Sequence, residues 1–440
     1  MKPAVAIIGA GMMGLSAGYR LARAGVHVDV YERSPDPGGL AGSIRLGGER
    51  CDRFYHVTLP TDDRVLDLAG ELGLGDRFRF EATRTAFYDD GRLLPLSTTA
   101  EFLRFDLLPL HDRLRLAAFV ASCQLKKTHD DLDGTPLLEW LERRCGRRTC
   151  DRLWRPLLDA KFDGRFDDLP ATYLWARTRR MSGARGGARS RETMGSLQGG
   201  YQAMIDRLVA AIRDTGGTVQ TGIGVREIMA GGGAVNGVLL ADGLRRYDAV
   251  LCTLLPAQAA DLLPGHLSSA LPLGRHRYLG VICTVVKLRR RLSPFYTVNI
   301  TDRRIPLTGL IETTNVIDPA EVGGHLVYLP RYADPDSPEF AEDDDTIGQR
   351  HLASLETMFG PVAPGDLLDM TVQRARLAEP VHVLGSAGLP FDTFPLPGLA
   401  LASTAQIYPE LVNSQAVLGI SQPVADELLS RLSDPAARAA

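Results

Sequence analysis

Ala4-Val5-Ala6-Ile7-Ile8-Gly9-Ala10-Gly11-Met12-Met13-Gly14 decides the fold. The first five residues are an apolar run with the length of a buried parallel strand. The glycine turn leads into a helical stretch from Leu15 to Ala24, which Gly25 ends. Val26-His27-Val28-Asp29-Val30-Tyr31 follows as a second strand, with Glu32 at its end. Strand, turn, helix, strand and terminal acid make a complete βαβ dinucleotide-binding unit. Gly9 allows the tight turn, Gly11 lets a pyrophosphate approach the backbone, and Gly14 and Gly18 let the helix lie close on the sheet. The helix N-terminus, at Met13 and Gly14, faces the phosphates with free N–H groups and partial positive charge. Glu32 is placed to accept hydrogen bonds from ribose hydroxyls, and its charge disfavours a 2′-phosphate.

The residues after Glu32 narrow the dinucleotide. Arg33-Ser34-Pro35-Asp36-Pro37-Gly38-Gly39-Leu40-Ala41-Gly42-Ser43 is a second glycine-rich loop directly after the second strand. An acid followed at this spacing by Gly38-Gly39 resembles the flavoprotein family of monoamine oxidases, protoporphyrinogen oxidases, phytoene desaturases and UDP-galactopyranose mutases. The resemblance implies FAD as resident cofactor, with Glu32, Arg33, Gly38, Gly39 and Leu40 along its ribose, diphosphate and ribityl chain.

A chain of 440 residues is long for one core, so two interleaved domains are expected. The net charge of −3 gives no electrostatic footing for nucleic acid or an anionic membrane. No apolar run reaches membrane-span length. Met1-Lys2-Pro3 passes at once into the first strand, so no signal peptide is expected and the cytoplasm is the default location. Cys51, Cys123, Cys145, Cys150, Cys252 and Cys283 contain no C-x-x-C pair and read as buried free thiols. The histidines show no H-x-x-x-H pair and no Cys/His cluster, so no metal is expected. The expected partner is a small-molecule substrate, with a homodimer allowed for.

Further along, Tyr55 and His56 precede an amphipathic helix over 62–73. By the resemblance this segment passes the flavin ring, which makes both candidates for the substrate face. Thr85 to Leu96 reads as a hairpin. From Thr98 the pattern turns helical to about Arg180, opening on a capping box at Thr98 and Glu101, and resembles the family's helical cap. The glycine- and arginine-rich stretch 182–191 reads as an entrance loop or a linker. Leu197-Gln198-Gly199-Gly200-Tyr201 restarts the cofactor half, and a strand around Val225 is implied to offer its main chain to the adenine. From Tyr278 to Tyr332 β-type runs recur, a sheet that would roof the flavin. Glu312, Asn315, Tyr328, Arg331 and Tyr332 are polar candidates on it, with Tyr328 and Arg331 taken with Tyr55 and His56 as the catalytic set.

The C-terminal return, Pro397 to Glu410 and then Asn413-Ser414-Gln415-Ala416, resembles the family's closing FAD motif. It implies a polar side chain at Ser403 or Thr404 near the ribityl and a helix N-terminus at Asn413, Ser414 and Ala416 aimed at the flavin pyrimidine, where it stabilises negative charge. Many relatives carry Gly-Asp in place of Ser403-Thr404. Pro423 is expected to kink or restart that helix.

The expected fold is therefore α/β, a glutathione-reductase-like FAD domain in segments 1–84, 195–275 and 389–440. An α+β substrate domain with a helical cap fills 85–194 and 276–388. The expected activity is FAD-dependent oxidation of a small molecule to C=C or C=N, with oxygen or another acceptor reoxidising the flavin. Amine oxidases of the family commonly carry a lysine where Cys283 stands, which argues against simple amine oxidation. The alternative is a non-redox enzyme of the sugar-nucleotide mutase type, with Arg155, Arg179, Arg180, Arg185 and Arg331 holding a diphosphate.

Overall fold

The computed structural model describes residues 2–183, 191–272, 276–385 and 391–433. Arg185, most of the stretch 182–191 and the 388/389 boundary lie outside the described residues.

Ala4–Ile8 is the middle strand of a five-stranded parallel sheet. The order is Leu399–Leu401, Ala249–Cys252, Ala4–Ile8, His27–Glu32, Thr218–Thr221. Strands covered on both faces read as continuous apolar runs, and Val5, Ile7, Val28, Val30, Val250 and Leu251 have no exposed surface. Helix Met12–Arg23 packs beside Gly200–Asp214 and Ser414–Ser433. The buried hydroxyls of Ser16 and Ser421 meet at 2.8 Å between the first and last of these helices. Pro423 lies inside one continuous helix rather than ending it. Leu418, Val424, Ala425 and Leu428 bury that helix on both sides of the proline, and tertiary burial outweighs the one missing amide.

The second sheet has seven strands: Leu367–Val381, Arg277–Leu288, His325–Ala333, Gly309–Glu312, Thr297–Ile300, Thr85–Asp89, Arg92–Pro95. Only Thr297–Ile300 and Thr85–Asp89 pair in parallel; the other pairings are antiparallel. Arg277–Leu288 is paired along both edges and buried from Tyr278 onward. Its alternate residues divide between two layers. Ile282 and Val286 face the layer of helix Asp344–Phe359, where Thr284 Oγ1 meets His351 Nδ1 at 2.7 Å. Val281, Cys283 and Val285 face the other way, toward Leu46, Cys51 and Phe54 of the dinucleotide half.

The strand Leu367–Val381 escapes the sequence reading. Asp369, Gln373, Arg374 and Arg376 dilute its alternation and Pro380 sits near its end. It is an edge strand, where such residues are tolerated. The cap gathers around Leu116, Phe119, Trp140, Leu141, Leu153, Leu174 and Trp175. Thr98 and Glu101 form the expected capping box, and Thr85–Asp89 with Arg92–Pro95 the expected hairpin. Among the described residues no helix is long and apolar enough to cross a membrane.

Candidate active site

The dinucleotide end is built from backbone. Gly9 turns with φ +103°, and a Cβ on Gly14 would stand 2.0 Å from the Gly9 carbonyl oxygen. No side chain caps the helix at Gly11, and its first turn carries no acid. The Met12, Met13 and Gly14 amides take no acceptor among the described residues. A Cβ on Gly11 would meet nothing within 4 Å. The second glycine loop crosses here: Gly38 N donates to Ala10 O at 2.8 Å, and Gly39 comes to lie against Gly11. Glu32 accepts from Ala10 N at 2.9 Å and Ser34 N at 2.8 Å, leaving lone pairs on both oxygens.

Backbone bonds from Gly222 N to Ser34 O and from Ile223 N to Glu32 O bring the segment 222–226 alongside. A Cβ on Gly224 would touch Arg33 Cγ at 3.7 Å, so Arg33 lies against the segment that leads into Val225. Val225 precedes its strand, Glu227–Gly231, rather than lying in it. Outside the ladder its N–H and C=O take no partner among the described residues. The Met13 side chain is core, so only its amide is available, while Leu40 is exposed.

At the other end Asn413 Oδ1 caps the last helix by accepting from Ala416 N at 3.1 Å. Thr58 Oγ1 meets the Tyr201 hydroxyl at 3.0 Å, and Ser414 faces the same hydroxyl. Ser403 is buried and turned inward. Its hydroxyl accepts from Ala405 N and its amide donates to Gln406 Oε1, leaving Thr404 the more open of the two. Open space at Gly11, unspent helix amides and the unspent Val225 main chain fit FAD.

Between this half and the seven-stranded sheet lies a cleft lined by side chains. Tyr55, Tyr173 and Tyr332 converge on Lys161, Arg177 and Glu379. Lys161 Nζ donates to Glu379 at 2.5 Å and stands 3.2 Å from the centre of the Tyr332 ring. Burial lowers the Lys161 ammonium against the pull of Glu379. Burial raises the Tyr55 and Tyr332 phenols, and takes Tyr173 to about 12 against the charge of Arg177. A small cavity of about 30 Å³ is lined by Tyr173, Glu379, His382, Tyr408 and Leu411, on the approach to the last helix.

His56 packs at a tilt against Tyr201, ring centres 5.0 Å apart, with its Nδ1 buried and without a hydrogen-bond partner among the described residues. Burial lowers it to about 4 and raises the adjacent Asp52 to about 7. The two stand 3.9 Å apart, beyond hydrogen-bonding reach. Tyr328 lies beneath Tyr55, ring centres 6.4 Å apart, and donates to the Asp52 carbonyl at 2.7 Å.

Three candidates are corrected. Along His325–Ala333 side chains alternate, so Tyr328 and Tyr332 face the cleft while Arg331 faces away and pairs with Asp163 and Glu339. Glu312 has no exposed surface and accepts from Leu292 N and Ser293 N. Asn315 Nδ2 donates to the Phe295 carbonyl. Both hold a turn.

Lys161, Tyr173, Arg177 and Glu379 were missed by sequence reasoning. Only Tyr173 and Arg177, four residues apart on one helix face, left a local signal. Among the described residues His129, Asp130 and Asp133 bring potential metal ligands together. Asp133, however, already accepts from Thr172 and Tyr408.

A parallel dinucleotide sheet with an open glycine cradle, joined to a substrate-side sheet, is the architecture of an FAD-binding enzyme. The family model for flavin containing amine oxidoreductase matches residues 12–393. The chain belongs to that family, and its cofactor is FAD. It is 30% identical to hydroxysqualene dehydroxylase of Rhodopseudomonas palustris over 325 residues, 65% of this chain and 73% of that protein. It is 26% identical to zeta-carotene desaturase of Zea mays over 179 residues, 36% of this chain and 31% of that protein. A crystal structure of reduced UDP-galactopyranose mutase superposes with TM-score 0.71 at 15% identity, covering 100% of this chain and 96% of the other. That last likeness is one of fold.

Proposed function

We propose that the protein removes hydrogen from a carbon of a small molecule, leaving C=C or C=N, and that oxygen or another acceptor then takes the electrons. Bound FAD supplies the two-electron acceptor. The observation that carries this reading is the wall of Tyr55, Tyr173 and Tyr332, phenols held neutral by burial. They shape and dry a site without offering a nucleophile of their own. Cys283 has no exposed surface and burial raises its thiol, which keeps it inert. Lys287, further along the same strand, is buried and donates to the Leu46 carbonyl. It therefore does not stand in for the lysine of amine oxidases. The relatives named as a desaturase and a dehydroxylase support chemistry at carbon.

In this reading Gly9, Gly11, Gly14, Gly38, Gly39 and the Met13 amide hold the diphosphate, and Glu32 the ribose. Arg33 and Val225 flank the adenine, and Thr404, Asn413, Ser414 and Ala416 meet the flavin end. Tyr55 and His56 orient substrate. The chain divides after residues 84, 194, 275 and 388, and the six free, buried cysteines suit a reducing cytoplasm.

The arginines of the mutase reading that lie among the described residues are otherwise engaged, Arg331 with Asp163 and Glu339. Arg155 is held by Glu142 and Asp151, Arg180 by Asp62, and Arg179 by the Lys126 carbonyl. The test is an anaerobic visible spectrum of the purified protein before and after addition of small-molecule fractions from the source cells. Bleaching of the flavin band by one fraction is expected. Conversion of a compound only after dithionite reduction would replace this reading with the mutase type.

A further inference from the structure

Helix Leu110–Leu125 is apolar on two opposite faces. Leu116, Phe119 and Cys123 turn into the cap core. On the other side Leu110, Leu114, Ala117, Ala118, Ala121 and Leu125 recur at spacings of three and four, a stripe one helix face wide. All six are exposed, with Leu110 52%, Leu114 57% and Leu125 81% accessible. Arg113 donates to the Phe102 and Leu103 carbonyls. This fixes helix Thr99–Arg104 beside the start of the stripe and adds Leu103, 54% accessible. Single exposed leucines are ordinary, but a row of them along one helix marks a contact surface.

The stripe is flanked by bases. Residues 102–128 carry Arg104, Arg113, Arg115, Lys126 and Lys127 against Asp106 and Asp112, in a chain whose net charge is −3. Asp112 is buried, and Asp106 is already paired with Arg92. Arg115 reaches the Arg143 carbonyl at 3.5 Å, which sets helix Leu137–Cys145 alongside. Next to Leu125 a groove of about 630 Å³ opens between the two helices, with Trp140, Lys126, Arg143 and Arg144 in its lining. Asp131 answers Lys126 at 2.6 Å, and Glu142 is held by Arg155. Arg143 and Arg144 are exposed and have no ion pair among the described residues.

We infer that this face of the cap docks on the surface of an anionic lipid bilayer, with helix Leu110–Leu125 lying in the plane of the interface. The leucines enter the boundary between headgroups and acyl chains, and Arg143 and Arg144 meet lipid phosphates. A second copy of the chain fits the same face less well. A helix of 16 residues is about 24 Å long. That strip is too narrow for the roughly 800 Å² that each partner gives a standard interface, and two such faces would bring like charges together. A bilayer needs no matching shape and supplies the missing negative charge. The docking face is also tied to the cleft. Gln124 donates to Ser182 at 2.9 Å and accepts no load alone: Arg179 donates to the Lys126 carbonyl at 3.1 Å, both from the helix that carries Tyr173. Docking brings that wall of the cleft toward the lipid. The inference goes beyond the redox reading and does not rest on it.

The test is sedimentation of the FAD-loaded protein with vesicles of phosphatidylcholine, alone or with about a third phosphatidylglycerol. The protein should pellet with the anionic vesicles, and added salt should weaken the binding. Leu110→Gln with Leu114→Gln should weaken it by roughly tenfold or more. Arg143→Gln with Arg144→Gln should weaken it by roughly tenfold, on anionic vesicles only. These side chains are exposed, so melting temperature and FAD content should match the parent. Leu125→Trp adds a reporter whose emission should shift to the blue when anionic vesicles are added. Failure to pellet with anionic vesicles overturns the inference, as does equal binding to both kinds of vesicle. Undiminished binding by the leucine variant overturns it too, and so does Leu125→Trp emission that vesicles leave unmoved. Self-association that the leucine substitutions abolish, without vesicle binding, would make the face an interface between copies instead. FAD content is read separately, so a failure of the cofactor reading is distinct from a failure of docking.

Discussion

The two ends of the site are made of different material. The dinucleotide end is main chain: unspent amides at the start of one helix, two glycine turns crossing at Gly11 and Gly38, and the bare backbone of Val225. Its acid, Glu32, is itself tied to the Ala10 and Ser34 amides. The substrate end is side chain: a lysine, an arginine, a glutamate and three tyrosines delivered by two cap helices, two strands and the loop before Asp63–Glu71. A backbone site is fixed by local geometry and accepts one kind of ligand. A side-chain site can be rewritten residue by residue on the same sheet, so one fold can serve different substrates.

The sharpest way to break the contrast is at the glycines. Gly14→Ala sets a Cβ 2.0 Å from a backbone oxygen, which no side-chain rotation relieves. It should cost about 3 kcal/mol or more and abolish FAD uptake, read as a lower apoprotein melting temperature and a colourless preparation. Gly11→Ala meets only open space. It should leave apoprotein stability within about 1 kcal/mol of the parent, yet reduce FAD affinity by roughly tenfold or more, because the added methyl occupies the pyrophosphate's place. If Gly11→Ala binds FAD normally, the backbone cradle is misassigned.

The next effect tests the side-chain end. Glu379→Gln leaves the Lys161 ammonium buried without its partner and should destabilise by about 2–3 kcal/mol, since both groups are mostly covered. The pH dependence follows from sign. Lys161 is already below its ordinary range, and removing Glu379 lowers it further. The unfolded chain then binds more protons, so stability rises with pH. The deficit of Glu379→Gln should shrink between pH 7 and 10 in urea unfolding curves. A deficit constant over that range would show that the carboxylate does not hold the lysine.

This difference in material also explains what could be read in advance. The FAD end is compressed into residues 4–43, where spacing is structure, so the fold class, the cofactor and the glycines were legible there. Arg331 was misread because its neighbours in sequence point to opposite faces of a strand, and a choice of face needs the register with Arg277–Leu288. Lys161 and Glu379 are 218 residues apart, and no local pattern ties them. Glu379 also sits on an edge strand whose polar residues hide its period.

A smaller effect concerns the joint between the two ends, where Asp52 and His56 carry opposed shifts. The Asp52 carboxyl is raised to about 7. The folded state therefore binds the extra proton between about pH 4 and 7, and stability falls as pH rises through that window. The imidazole of His56 is lowered to about 4. There the unfolded state binds the extra proton between about pH 4 and 6.5, and stability rises with pH. In the parent the two slopes largely cancel. Asp52→Asn keeps the acceptor for the Tyr201 amide and leaves the His56 slope exposed, so stability should climb from pH 4 to 6.5 relative to the parent. His56→Gln should show the reverse. Each change should be on the order of 1–2 kcal/mol across the window, and parallel pH profiles for the two variants would refute the assignment.

The smallest effect is the most specific for chemistry. Cys283 stands on the side of Arg277–Leu288 that faces the dinucleotide half, among Val281, Val285 and Tyr328, yet has no exposed surface of its own. Burial keeps its proton on at neutral pH, and a thiol is a poor nucleophile beside a thiolate. Cys283→Ser alters polarity by one buried hydroxyl and should cost about 1 kcal/mol of stability while changing the rate of flavin bleaching by its substrate less than about twofold. A large loss of rate in Cys283→Ser at unchanged FAD content would mean that the strand contributes a reacting group. The side-chain end would then take part in the chemistry, beyond selecting and orienting the substrate.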